Sequence, residues 1–213
     1  IRATLAALLL ALSASPAWAQ AGWTTSALIV APHAAGSAAT PLVVGENGEA
    51  LIVSTWAGTQ LRTAQYHPAG QTWSPAVTIA EGGALLVGPA AIDRDGNAVV
   101  VFSREDTPTH RYLYAVRFDG ATRQWGAAAR LSDAVAPGAP VTALGIGFPS
   151  GGGTTVVFAE AGVARVVRTT GPTAPWSAAQ TLFAPLLAQV AAVEADGGVL
   201  LAGADFQAVR VVA

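Results

Sequence analysis

The tryptophans of this chain recur at a near-constant interval. Trp23, Trp73, Trp125 and Trp176 are separated by 50, 52 and 51 residues. Each opens a similar phrase, with a small residue three positions on (Ser26, Ala76, Ala128, Ala179) and an aliphatic six positions on (Ile29, Ile79, Leu131, Leu182). A self-similar period of this length marks a repeat architecture, in which one unit cannot bury its apolar surface alone and stacks on the next copy. Spacing by two from the tryptophan, as at 73, 75, 77 and 79, predicts one side of a single strand, because strand side chains alternate faces.

A second phrase recurs between the tryptophans. It reads Asn47-Gly48-Glu49-Ala50-Leu51-Ile52-Val53 and then Asp95-Gly96-Asn97-Ala98-Val99-Val100-Val101. Weaker copies follow at Gly152-Gly153-Thr154-Thr155-Val156-Val157 and Asp196-Gly197-Gly198-Val199-Leu200-Leu201. Asn-Gly and Asp-Gly between apolar runs predict type I′ hairpins, because Gly tolerates positive φ. Pro41 and Pro89 each stand seven residues before the turn glycine, so the preceding strands start at matched places. Third strands are expected over 61–66, 112–118, 163–169 and 207–213.

Four short strands in about 50 residues, with no helical period, predict an all-β chain. The architecture expected is a β-propeller of four-stranded antiparallel blades, with about four repeats visible. The blades are placed at 39–80, 88–132, 140–183 and 188–213, the last lacking its outer strand, with a lone outer strand over 20–30. A β-sandwich would leave the even tryptophan intervals unexplained. Trp23, Trp73, Trp125, Trp176 and the turn glycines Gly48, Gly96, Gly152 and Gly197 are read as structural repeat residues. The chain starts at Ile1 and ends on a third-type strand, so it is read as part of a longer ring. The alternative is a four-bladed ring sealed by 23–29 pairing into the last blade.

Residues 1–19 read as a secretory signal peptide. Arg2 precedes an apolar run from Leu5 to Ala14, and Ala17-Trp18-Ala19 supplies the small-x-small ending. That run is half of the roughly 20 apolar residues a spanning helix needs, so no membrane span is expected. The mature chain, 20–213, is expected to be secreted or periplasmic. Charge narrows the function classes. Eleven basic and thirteen acidic side chains leave a net charge of −2, which argues against nucleic acid as a partner. There is no Cys, and every basic residue is Arg, which removes thiolate metal sites, cysteine nucleophiles and Schiff-base lysines. No cofactor and no metal are expected: Asp93-Arg94-Asp95-Gly96-Asn97 lacks the later acidic ligand of a calcium loop, and a hairpin turn explains it.

The phrase Ala69-Gly70-Gln71-Thr72-Trp73 resembles the Gly-x-Thr-Trp half of an Asp-box. Phe118-Asp119-Gly120 before Trp125 is similar to a looser copy, and Gly171 before Trp176 to a decayed one. Over 23–213 the chain resembles exported bacterial sialidase-like, Asp-box-like β-propeller repeat proteins. The resemblance implies a structural turn between third and fourth strands. Sialidases carry an arginine triad opened by an Arg-Ile-Pro motif and a Tyr–Glu nucleophile, and no Arg-Ile-Pro occurs here, so no catalytic residue is carried over.

In a propeller, the connections from strand two to three and from strand four to the next blade share one face. The richest candidate loop there is 103–111, with Arg104, Glu105, Asp106, His110 and Arg111. Trp56, Glu160 and Asp205 are expected to share its face, with His33, Glu81 and Asp133 nearby. Arginines beside carboxylates can bind a sugar or a carboxylated ligand through the planar guanidinium fork, and Trp56 offers a stacking platform. Solvated local ion pairs are the plain alternative. The function expected is a non-catalytic binding or scaffold module, its partner carbohydrate or another extracytoplasmic protein. A sialidase-like glycoside hydrolase, or a surface-layer or adhesion repeat, is the alternative.

Overall fold

The computed structural model describes residues 39–108, 110–133, 141–183, 188–203 and 206–211. The signal peptide, the lone strand over 20–30 with Trp23, His33 and Asp205 lie outside the described residues. All regular structure among those described is strand. The first sheet joins β1 (Ala39–Val44), β2 (Ala50–Trp56) and β3 (Gln60–His67) to a divided fourth position, β4 (Thr72–Trp73) and β5 (Val77–Glu81). The second repeats this with β6 (Leu85–Ile92), β7 (Ala98–Thr107), β8 (His110–Asp119), β9 (Gln124–Trp125) and β10 (Ala129–Arg130). The third holds β11 (Val141–Gly147), β12 (Thr154–Glu160), β13 (Val163–Thr169) and β14 (Gln180–Phe183). The fourth holds β15 (Ala188–Val193), β16 (Val199–Gly203) and β17 (Phe206–Val211). The pairing is antiparallel throughout, and the fold is of the β-propeller type, with sheets of about four strands.

Alternation explains how consecutive sheets cover one another. Along β7, Ala98, Val100 and Phe102 point to the first sheet and join Leu51, Val53 and Leu61 in one core. Their neighbours Val99 and Val101 point the other way and join Val141, Val156 and Phe158 of the third sheet. Val157 of β12 turns to the fourth sheet and meets Val199 and Leu201. The middle sheets therefore bury both faces, which is why β7 opens with an unbroken apolar run instead of a polar–apolar alternation. Each side chain of this size contributes about 1.5–3 kcal/mol by leaving water.

The first strand of each sheet packs beside the first strand of the next, with glycine at the tightest approaches. A Cβ on Gly145 of β11 would lie 2.2 Å from the Ala191 carbonyl oxygen of β15, and one on Gly147 would lie 2.4 Å from the Val193 Cβ. Neighbouring sheets approach so closely there that a side chain at Gly145 or Gly147 does not fit.

Two local expectations are corrected. The turn at Gly48 is not type I′, which needs positive φ at both central residues. Gly48 has φ of 80°, and Asn47 is not in that region. Gly48 N–H donates to the Gly45 carbonyl and Gly45 N–H to the Glu49 carbonyl, so the loop has three residues, a type I turn ending in a left-handed glycine. Gly96 (φ 80°) and Gly197 (φ 86°) repeat it.

The second correction concerns the strand that opens at each tryptophan. Trp73 pairs with Tyr66 but Val77 with Thr63, and Trp125 pairs with Phe118 but Ala129 with Ala115. Four residues on one side match three on the other, so a bulge flips the phase and residues 73 and 77 face opposite sides. In the first sheet the break falls at Pro75, which has no N–H to give to a ladder.

Candidate functional site

The residue eleven positions before each tryptophan builds the end of the sheets where the candidate residues lie. These residues are Arg62, Tyr114 and Arg165, paired across the ladder with Ser54, Phe102 and Phe158. Two residues beyond each of those partners stand Trp56, Arg104 and Glu160. The three therefore occupy equivalent positions, on the face each sheet turns to the sheet before it. In every case one guanidinium meets its companion: Arg62 lies 5.0 Å from the Trp56 ring centre, Arg104 lies 4.2 Å from the Tyr114 ring centre, and Arg165 pairs with Glu160 at 2.7 Å.

The segment 103–111 is mostly strand rather than loop, because β7 runs to Thr107 and β8 resumes at His110. Its side chains consequently divide between two faces. Toward the first sheet point Arg104, Tyr112 and Tyr114, with Asp106 beside them. Arg104 Nε donates to Asp106 Oδ1 at 2.6 Å and Arg104 Nη1 to the Glu81 carbonyl at 3.1 Å, while the Tyr114 hydroxyl donates to Asp106 Oδ2. Arg130, opposite Tyr114 on β10, lies 4.9 Å from the Tyr112 ring centre, and the His110 ring stacks beside Tyr112 at 6.3 Å. Toward the third sheet point Glu105 and Arg111, paired at 2.5 Å, with Ser103 accepting from Arg111 at 3.0 Å.

Electrostatics separates the acids. Burial works to raise the Asp106 carboxyl, but hydrogen bonds from Arg104 and Tyr114 and the charges of Arg104 and Arg130 outweigh it and hold the group below its ordinary value. Arg104 is raised by its bond to Asp106, and Tyr114 is raised by burial and by donating to the same carboxylate. Glu160 moves the other way: burial pushes it up against the opposing charge of Arg165, while the Asp133 charge raises it and the Asp133 backbone hydrogen bond lowers it. The turn that resembled a calcium loop is filled by the chain itself. Asp93 Oδ1 accepts from the amides of Asp95 and Asn97, and Oδ2 accepts from the Asn97 side chain. No group of three metal-ligating side chains occurs among the described residues.

Trp56 sits at the same end of the strands as Arg104 but on the face of the first sheet turned away from it. Sequence reading singled out neither Tyr112, Tyr114 and Arg130 nor Arg62 and Arg165. The fixed distance back from each tryptophan was the available signal for Arg62, Tyr114 and Arg165. Trp125 packs on the core between the first two sheets and Trp176 on the next.

No protein-family model and no curated protein matches the chain. Solved structures do. A polysaccharide lyase described as a PL25 ulvan lyase bound to -[GlcA(1-4)Rha3S]- is similar over 80% of this chain, with 12% identity and a TM-score of 0.52. The Dos1 propeller is similar over 76%, with 9% identity and a TM-score of 0.50. The chain spans 50% of the length of the first and 41% of the second. At such identities the likeness shows the fold alone, a β-propeller type.

Proposed function

We propose that the chain is an exported, non-catalytic propeller module that binds carbohydrate carrying an acidic group. The observation that carries this reading is Arg130. It is exposed, lies over Tyr112, and has no carboxylate within ion-pair distance among the described residues, whereas Arg104 and Arg111 are held by Asp106 and Glu105. A guanidinium with its fork free, set beside aromatic rings, suits a carboxylate or sulfate on a sugar. Asp106, Glu105 and Glu160 each serve an arginine, which favours binding over hydrolysis. The fold is shared with a lyase solved with a GlcA-containing saccharide.

Binding of the purified protein to immobilised uronate-bearing, sulfated and neutral glycans tests this. Acidic glycans are expected to bind, and Arg130→Ala to weaken them about tenfold, the scale of one charged hydrogen bond. Equal binding of neutral glycans, or binding indifferent to Arg130→Ala, contradicts the reading.

One observation favours the glycoside hydrolase alternative: Glu160 is buried, and burial raises its carboxyl toward the protonated form a general acid needs. Release of fluorophore from a fluorogenic glycoside, lost in Glu160→Gln, would support hydrolysis.

A further inference from the structure

We propose that Asn47 is a site of spontaneous covalent modification, where the Asn47–Gly48 link closes to a succinimide and water reopens it as aspartate or isoaspartate. Asparagine is a chemically labile residue, and the chain has two, Asn47 and Asn97. The structure treats them differently. Asn97 is followed by Ala98, which is 1% exposed and paired with Ile92 in the ladder. The Asn97 side chain is held at both ends: Nδ2 donates to Asp93 Oδ2 at 2.8 Å, and Oδ1 accepts from the Gly120 N–H at 3.0 Å. Asn47 lies exposed in the first turn, and the exposed Gly48 after it has no Cβ to shield its nitrogen. The Asn47 Oδ1 accepts from the Glu49 N–H at 3.0 Å. The Gly48 N–H donates to the Gly45 carbonyl at 3.0 Å, so opening of this solvent-facing turn sets the rate.

The reaction balances with water alone. The Gly48 nitrogen gives up its proton and attacks Asn47 Cγ. The N–Cγ bond forms, the Cγ–Nδ2 bond breaks, and ammonia leaves with that proton. Water then adds to either ring carbonyl. Opening at Cγ gives aspartate; opening at the Asn47 main-chain carbonyl gives isoaspartate, whose main chain runs through the side chain and is longer by a methylene. Aspartate suits the turn. It already stands at the matching positions of the second and fourth sheets, Asp95 and Asp196, each before a left-handed glycine. Asp196 Oδ1 accepts from the Gly198 N–H at 2.9 Å, the same bond that Asn47 makes with Glu49. Isoaspartate does not suit it, because the loop is closed by Gly48 N–H on Gly45 and Gly45 N–H on Glu49. The longer main chain also displaces Glu49, which holds Arg123 of the second sheet at 2.7 Å.

Peptide mass spectrometry of aged protein tests this. Purified protein is kept warm at mildly alkaline pH, folded and in urea, until the unfolded sample has lost its Asn47 signal. An acid protease then cuts both samples. In the folded protein the Asn47 peptide is expected to give way to aspartate and isoaspartate forms, while Asn97 is retained. Fresh Asn47→Asp is expected to melt at the parent temperature, and the aged parent containing isoaspartate below it. Asn47→Ser, which has no amide to lose, keeps its melt on the same ageing and so assigns the fall to residue 47. Asn47 intact in the folded sample, or Asn97 lost as fast, overturns the proposal. So does an equal fall in aged Asn47→Ser.

Discussion

Arg104 stacks its guanidinium over the Tyr114 ring, and Asp106 accepts a hydrogen bond from each of them. The three side chains form one unit at the end of the second sheet. Tyr114 is 6% exposed and its ring belongs to the core between the first two sheets. Tyr114→Phe keeps the ring and removes one donor to the carboxylate. Stability is expected to fall by about 1 kcal/mol, read as a shift of the urea midpoint at unchanged slope.

Acid dependence follows from the same carboxylate. Asp106 is held below its unfolded value, so its contribution is present above the unfolded pKa, near 3.9, and is lost as pH falls through the lower folded value. Thermal melts of the parent protein and Asp106→Asn are expected to differ most at neutral pH and to converge as pH drops below about 4. A constant difference across the range would show that the carboxylate charge is not what stabilises the unit.

Close approach of the first strands predicts a contrast between two glycines. At Gly145 an added Cβ meets the Ala191 backbone at 2.2 Å, whereas at Gly151 nothing lies within 4 Å. Gly145→Ala is expected to cost about 1–3 kcal/mol through forced backbone displacement, and Gly151→Ala to change stability by less than about 0.5 kcal/mol. Chemical denaturation of both variants checks the pair.

Phe102 is fully buried between the first and second sheets. Phe102→Ala is expected to cost about 3–5 kcal/mol, measured in the same way. A loss below about 1 kcal/mol would mean that this layer does not pack as described.

Much of the architecture was legible because it is written in periods. Trp73 and Trp125 fall on equivalent strands of the first two sheets, and the Asn-Gly and Asp-Gly turns connect the first and second strands of three sheets, each followed by an apolar run. The turn type was not legible, because Gly48 ends a three-residue loop and the same dipeptide serves a two-residue one. The phase after Trp73 was hidden because a bulge adds one residue and leaves no compositional mark beyond Pro75. At the candidate site, Arg104, Asp106, Glu105 and Arg111 read as one cluster because they are close in sequence. Alternation along β7 and β8 separates them onto two faces. Arg130 joins Tyr112 only through strand pairing, which sequence proximity cannot reveal.

The sheets stack face to face with their first strands in contact, and a disulfide tests this most directly in a chain that has no Cys. A Cβ at Gly45 lies 3.3 Å from the Ile92 Cβ across the first and second sheets, close to the separation a disulfide spans. Intact-mass measurement of Gly45→Cys/Ile92→Cys after mild oxidation is expected to show an intramolecular bond with no free thiol. Two thiols that stay free, or bond only between molecules, would contradict the stacking.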